Sequence, residues 1–386
     1  MSAPLMSAPP PRESLRDSGL ADPRTRAILL QVLVVAGVVA CGWFLVGNTL
    51  DNLSRRSIAT GFGFLERPAS FAIGESLISY SAADSYGRAV LVGLLNTLKV
   101  TAIAIVFSTL FGIALGVARL SANWLVAKLA AAYVELVRNV PVLLQLFLWY
   151  AVITESLPGP RQALHPFPGA FLCNRGLMLP GLAEHPVWPA VALAFGIAII
   201  GALALRRFGR AGWGGALIAG LPLAVWLGFG APLAFSLPEL RGFNFQGGVS
   251  FSPELSSLLL GLVFYTSAYI AEIVRGGILA VSRGQVEAGL ALGLSRAQVL
   301  RLVVLPQALR VIVPPLASEY HKLAKNSSLA VAIGFPDVVS VLNTVVNQTG
   351  QAIEGVALIM AVFLVISCGI SLLMNWYNRR VALVER

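Results

Sequence analysis

Apolar residues in this 386-residue chain run in long blocks rather than in short amphipathic stripes. Crossing about 30 Å of hydrocarbon takes about 20 mostly apolar helical residues, since no backbone polar group can go unpaired there. Residues 27–50, between Arg26 and Asp51, carry no charge at all. A second block lies between Lys99 and Arg119, with its helix starting near Val90, and a third runs from about Tyr133 to Ile153. The fourth, 185–205, stops at Arg206-Arg207; the fifth lies within 211–238 and the sixth spans about 255–275. A seventh, about 308–335, is interrupted by Glu319, His321, Lys322 and Lys325, and the eighth, 355–378, ends at Arg379-Arg380. The pattern predicts an all-α, polytopic membrane protein with about eight transmembrane helices.

Composition agrees: 57% of residues are hydrophobic and 12% charged, against about 25% charged in soluble domains. The net charge of +10 would ordinarily raise nucleic acid as a partner, but the basic residues sit at the ends of apolar blocks, where bilayer topology puts them. With the N-terminus inside, sixteen Lys and Arg fall in inner segments and seven in outer loops, and the loop 336–354 has none. That bias predicts both termini in the cytoplasm and needs no nucleic acid. Cys41 and Cys368 lie in apolar blocks and read as small core residues; with Cys173 they form neither a metal spacing nor a disulfide framework.

Residues 1–25, rich in Pro, Ser and charge, read as a disordered cytoplasmic tail, with 379–386 as a second one. Span one is too long, and follows too long a leader, for a cleaved signal peptide. With the outer loop that follows, it makes up 26–87.

The longest non-spanning inner segment, between spans six and seven, reads VSRGQVEAGLALGLSRAQVLRLVVLPQALRVIVPPL. Residues 285–292 are helix-compatible, Gly293 interrupts them, and Ser295 caps a second helix from Arg296 to about Val304, with Val299, Leu302 and Val303 on one face. Pro306 is expected to stop or kink it. Periodicity alone leaves open an amphipathic helix lying on lipid headgroups. The order of residue types goes further. Glu287-Ala288-Gly289, three residues, Gly293, nine residues, then Val303-x-Leu305-Pro306 resembles the EAA pattern of ABC importer permeases, with Gly289 in place of Ala and Val303 in place of Ile.

Flanking residues narrow the resemblance. Asn96-Thr97-Leu98 with Gly112 and Gly116, Tyr133 to Pro141 with Gln145-Leu146-Phe147, Tyr269 to Gly277, Pro314-Pro315, and Leu323 to Leu329 are similar to the polar amino-acid (histidine/glutamine-type) permeases. Matching blocks cover 88–160 and 252–378, which the resemblance makes a type I importer-like five-helix core. The first span and the 161–251 insert, with two spans, exceed that core and resemble the long general L-amino-acid branch. The resemblance implies a bacterial inner-membrane permease subunit of an ATP-driven L-amino-acid importer. It implies that 284–306 is a coupling loop docking on a cytoplasmic ATP-binding subunit, with Glu287, Ala288, Gly289, Gly293, Val303, Leu305 and Pro306 as its marked positions. It further implies a second, related permease subunit and a periplasmic substrate-binding protein. No G-x-x-x-x-G-K-[ST] phosphate loop occurs, so the chain is expected to be no enzyme, with no cofactor or metal.

Charge at membrane depth is costly and marks function by default. Glu319, Lys322 and Lys325 form a stripe three residues apart, fitting a substrate with both an ammonium and a carboxylate, or else an internal Glu319/Lys322 pair. Twin prolines at 314 and 315 are expected to kink that helix. Tyr265, Tyr269 and Glu272 share a helical face, so Tyr269 and Glu272 join the stripe as substrate-path candidates. Glu272 and Arg275 are also i, i+3 neighbours able to neutralise each other; Arg138 and Arg275 read as inner-interface anchors. The stripe alone would serve an ion-coupled secondary transporter or channel equally well, but that alternative leaves the loop unexplained.

Overall fold

The computed structural model describes residues 23–55, 60–183, 185–207 and 212–381. Most of both expected tails, with Arg210 and Arg386, lies outside these ranges. The chain divides into two units, 1–62 and 63–386. The first contains α1 (Pro23–Arg55), whose 33 residues rise about 50 Å at 1.5 Å each.

The second unit opens with α2 (Tyr86–Ala118), started by Ser85, whose hydroxyl accepts from the Arg88 N–H. Next come α3 (Trp124–Asn139), capped by Asn123, and α4 (Val142–Ala151). The expected straight span over 133–153 is instead bent by 103° between α3 and α4. Val140, before Pro141, is held extended, as the proline ring demands of its predecessor. Gln145 Nε2 donates to the carbonyls of Val137 and Val140 at 2.9 and 3.0 Å, pairing backbone oxygens that the break would leave bare.

The insert mixes strands and helices: β1 (Phe171–Cys173), β2 (Gly176–Leu179), β3 (Gly181–Leu182), α5 (Val187–Arg207), α6 (Gly212–Gly228), β4 (Phe235–Ser236), β5 (Glu239–Arg241), β6 (Asn244–Gln246) and β7 (Val249–Phe251). They pair antiparallel as β1-β2-β7, β3-β4 and β5-β6, so the chain is mostly helical rather than all-α. Glycine and proline punctuate these short stretches, which is where extended ribbons replace helix. Then follow α7 (Pro253–Leu279), α8 (Arg283–Ala291), α9 (Arg296–Val299), α10 (Leu305–Asn326), α11 (Val338–Thr349) and α12 (Ala352–Val381). The expected outer loop 336–354 is thus largely helix α11, capped by Asp337.

Among the described residues, five helices are long and apolar enough to cross a membrane, or six with the bent pair α3–α4 as one span. The other two of the eight expected spans fall on the shorter apolar helices α5 and α6 of the insert. In the insert, α5 is a helix of 21 residues, close to the roughly 20 a crossing takes, whereas the 17 residues of α6 fall short of it.

The core forms where α2 crosses α7. A Cβ on Gly112 would lie 2.6 Å from Ile270, and one on Gly116 2.8 Å from the Ala271 carbonyl, so the two backbones touch. Leu255, Leu258 and Leu262 of α7 then close on Val100, Ala104, Leu146, Leu323 and Phe335. Cys173 is buried, but Cys41 and Cys368 are exposed on their helices rather than set in a core, because the apolar blocks that carry them are not covered by protein.

Candidate functional site

The loop between α7 and α10 is built from two caps. Gly293 sits at φ +81°; its N–H bonds to the Leu290 carbonyl at 2.9 Å and the Leu294 N–H reaches Gly289 at 3.2 Å. That is a Schellman end for α8, which a left-handed glycine permits. Ser295 begins α9 with a reciprocal capping box to Gln298, satisfying two orphan donors. The two helices close on each other through Gly289, where a Cβ would lie 3.0 Å from buried Val299. Glycine at 289, the departure from the EAA pattern, thereby lets the arms meet. Glu287 and Ala288 remain exposed, as does Leu292 at 82%.

Pro306 does not stop the helix. Residues 300–304 form a wide π turn, in which the Leu305 N–H reaches back to Leu300, and α10 runs on through Pro306, Pro314 and Pro315 to Asn326. Pro306 falls in the first turn, where its missing N–H costs least. The extra residue of the π turn also rotates the face: Val304 is buried, Val303 half-buried and Leu302 exposed, in place of the expected Val299/Leu302/Val303 stripe. Leu305 and Pro306 are exposed.

Higher on α10, Glu319 Oε1 meets Lys322 Nζ at 2.6 Å, with Glu319 12% exposed and Lys322 56%. The Lys322 ammonium also lies 5.1 Å from the centre of the Tyr269 ring on α7. Arg138, on α3, places its guanidinium carbon 5.1 Å from the same ring. Tyr265 donates to the Tyr269 hydroxyl at 3.2 Å. Four side-chain types thus converge from three helices: two cations, a carboxylate and a pair of phenols around one aromatic face, where cation–π attraction strengthens as water is excluded.

Glu272 does not join them. It pairs with Arg275 at 2.5 Å and with Arg119 at the end of α2, forming a separate charged tie between α2 and α7. Lys325 lies exposed near the end of α10. Arg138, read from sequence as an anchor, is the unexpected member of the tyrosine cluster, and Arg119 the unexpected partner of Glu272. No sequence pattern signals either contact, because both depend on the bend at Pro141 and the close α2–α7 crossing. Among the described residues, no group of three or more His, Cys, Asp and Glu could hold a metal ion.

Comparison with known proteins places these features. The family described as "Binding-protein-dependent transport system inner membrane component" matches residues 216–383. YhdX of Escherichia coli (strain K12), an amino-acid ABC transporter permease by name, is 52% identical over 380 residues, covering 95% of this chain and 96% of the relative. The general L-amino acid transport system permease protein AapQ of Rhizobium johnstonii is 47% identical, covering 96% and 95%. BztB of Rhodobacter capsulatus, a glutamate/glutamine/aspartate/asparagine transport system permease protein, is 37% identical, covering 99% and 100%. Among solved structures, an amino acid ABC transporter with histidines matches at a TM-score of 0.47 and 23% identity, over 76% of this chain and 95% of the other. The chain belongs to the amino-acid ABC transporter permeases, the inner-membrane components of binding-protein-dependent transport systems.

Proposed function

We propose that the chain is the membrane-spanning half-channel of an importer for L-amino acids, with residues 284–306 as the lever worked by a cytoplasmic ATP-binding subunit. The observation that carries this reading is the continuous helical path from α9 to the cluster, with α8 packed on α9 through Gly289 and Val299. The turn between α8 and α9 is capped on both sides, and the π turn joins α9 to α10 without a break. From Leu305 to Glu319 is about 20 Å of helix at 1.5 Å per residue. A push on exposed Glu287 and its neighbours is therefore delivered to the Glu319–Lys322 pair as rigid-body motion, the kind of transition packed helices support.

In this reading the substrate's ammonium is drawn to Glu319 and its carboxylate to Lys322 and Arg138, with Tyr265 and Tyr269 lining the path. The pair opens as the amino acid exchanges one internal ion pair for two new ones. Lys325 extends the cationic side, and the Arg119–Glu272–Arg275 tie holds the ends of α2 and α7 together. The long form shared with AapQ and BztB supports acidic, amide or general L-amino acids as cargo. A second, related permease completes the channel, with a binding protein delivering substrate on the outer face. The basic-residue bias supports both termini inside, and the family resemblance of 88–160 and 252–378 supports a type I importer core of five helices.

Glu319→Gln tests the reading. The assembled complex should form as before while uptake falls on the order of tenfold or more, as expected where a buried functional charge is lost. Unchanged uptake across several L-amino acids would remove Glu319 from the path.

A further inference from the structure

The insert carries an apolar face that the transport reading does not use. Strands β3 and β4 pair as a two-stranded ribbon, Gly181 opposite Ser236 and Leu182 opposite Phe235, extended by the Ala183 N–H to the Ala234 carbonyl at 2.8 Å. Directly opposed residues share a face of the pleat, so Leu182 and Phe235 stand together, with Leu233 and Leu237 flanking Phe235 at alternate positions. All four are exposed, Phe235 at 67%. The opposite face is covered over part of its length: Gly181 and Pro238 are buried, and the Ser236 hydroxyl accepts from the Gly248 N–H at 2.9 Å, while Ala234 is exposed.

We propose that this ribbon is a membrane-interface float: its apolar face rests on the bilayer at the boundary between headgroups and acyl chains, beside the ends of α5 and α6. Three observations commit it to lipid. First, it is continuous with the apolar helices. Helix α6 has 17 residues, about 25 Å at 1.5 Å per residue, some 5 Å less than the hydrocarbon core. The exposed apolar run through Phe229, Leu233, Phe235 and Leu237 begins where α6 ends. Second, tryptophans stand at the junction. Trp188, opening α5, donates its indole N–H to the Ala183 carbonyl at 3.0 Å, and Trp226, closing α6, donates to Pro232 at 3.4 Å. Amphipathic indoles with a satisfied N–H are the residues that settle at headgroup level. Third, charge begins where the ribbon stops. No Asp, Glu, Lys or Arg occurs from 211 to 238, and Glu239 and Arg241 open the β5–β6 hairpin.

The depth follows from backbone chemistry. A two-stranded ribbon leaves outer N–H and C=O groups unpaired, which hydrocarbon does not tolerate. The ribbon must therefore lie at the interface, where water still reaches its edges, as interfacial amphipathic elements do. It lengthens the apolar span of α6 without lengthening the helix.

The experiment uses the native complex in phosphatidylethanolamine/phosphatidylglycerol vesicles containing a phospholipid with a diazirine near the glycerol end of its acyl chain. After photolysis, peptides covering 181–183 and 233–237 should carry lipid adducts at least several-fold above the peptide covering 239–246. Phe235→Glu with Leu237→Glu should remove most of that labelling. Labelling of the ribbon no greater than that of 239–246, or crosslinking of the ribbon to a second permease subunit in place of lipid, overturns the proposal. The native arm decides even if the double variant fails to assemble. ATP-driven uptake by the same vesicles reports on the transport reading independently.

Discussion

Gly293 separates two explanations of a glycine in the 284–306 loop. At φ +81° a Cβ built on Gly293 has no atom of the described residues within 4 Å, so the cost of adding one there is conformational. An L-residue in the left-handed region costs roughly 1–2 kcal/mol, less for asparagine, whose side chain makes local hydrogen bonds, and more for a β-branched residue. Since 1.4 kcal/mol is tenfold in a population, Gly293→Ala should reduce the correctly closed loop about 5- to 30-fold relative to alternatives, Gly293→Asn less, and Gly293→Val more. The assay is substrate-stimulated ATP hydrolysis by the reconstituted complex, with co-purification of the ATP-binding subunit as the docking control. Backbone control predicts the order Gly, Asn, Ala, Val. If the glycine instead serves only to leave room for the partner, damage follows side-chain volume, and asparagine is worse than alanine. That order would refute the argument from φ.

Three further outcomes follow from the packing. Gly112→Val places atoms where a Cβ already lies 2.6 Å from Ile270; overpacking of this kind costs about 1–3 kcal/mol or more, and a lowered Tm of the purified complex checks it, while Gly196→Ala, in open space, should leave Tm nearly unchanged. Glu272→Gln leaves Arg119 and Arg275 facing each other without their carboxylate; the triad being partly exposed, a loss of about 1–3 kcal/mol is expected, read as a Tm drop that moderate salt lessens by screening the two arginines. Burial pushes the Asp337 carboxyl up to about 7, against backbone hydrogen bonds that pull it down. With the folded value raised, the cost of ionising Asp337 is absent below pH 4 and grows as pH rises towards 7, reaching at most about 4 kcal/mol. Asp337→Asn, which keeps a capping oxygen for the Ser340 N–H, should therefore raise Tm at pH 8 and leave it nearly unchanged at pH 4; equal effects at both values would contradict a buried, titrating carboxyl.

What could be read in advance divides by the range of the interaction. Long apolar blocks locate α1, α2, α7 and α12, because backbone satisfaction in hydrocarbon is a local, one-segment demand. The loop 284–306 was legible for the same reason: the Gly293 cap and the Ser295–Gln298 box are contained in a few residues. Breaks that depend on neighbours were not. Pro306 reads as a stop or a kink, and the helix continues through it after a π turn at 300–304. Val140-Pro141 looked like mid-span, but Gln145 stabilises a 103° bend there. Apolar composition does not show that α6 is only 17 residues long, since length against bilayer thickness is a separate demand. In the candidate site, the Glu319–Lys322 pair is an i, i+3 relation visible on one helix. Its convergence with Arg138 and Tyr269 is tertiary and became visible only with the helices in place.

The central claim is that motion of the 284–306 loop, driven by a partner's ATP hydrolysis, moves an amino acid past Glu319 and Lys322. The most direct measurement is uptake of labelled L-amino acid into vesicles holding this chain, the second permease proposed for it and an ATP-binding subunit, with the proposed binding protein on the delivery side. The account predicts uptake that requires ATP on the loop side, persists without any ion gradient, and is lost on Glu287→Ala combined with Gly293→Val while the permeases remain assembled. Uptake driven by an ion gradient in vesicles lacking the ATP-binding subunit would contradict it.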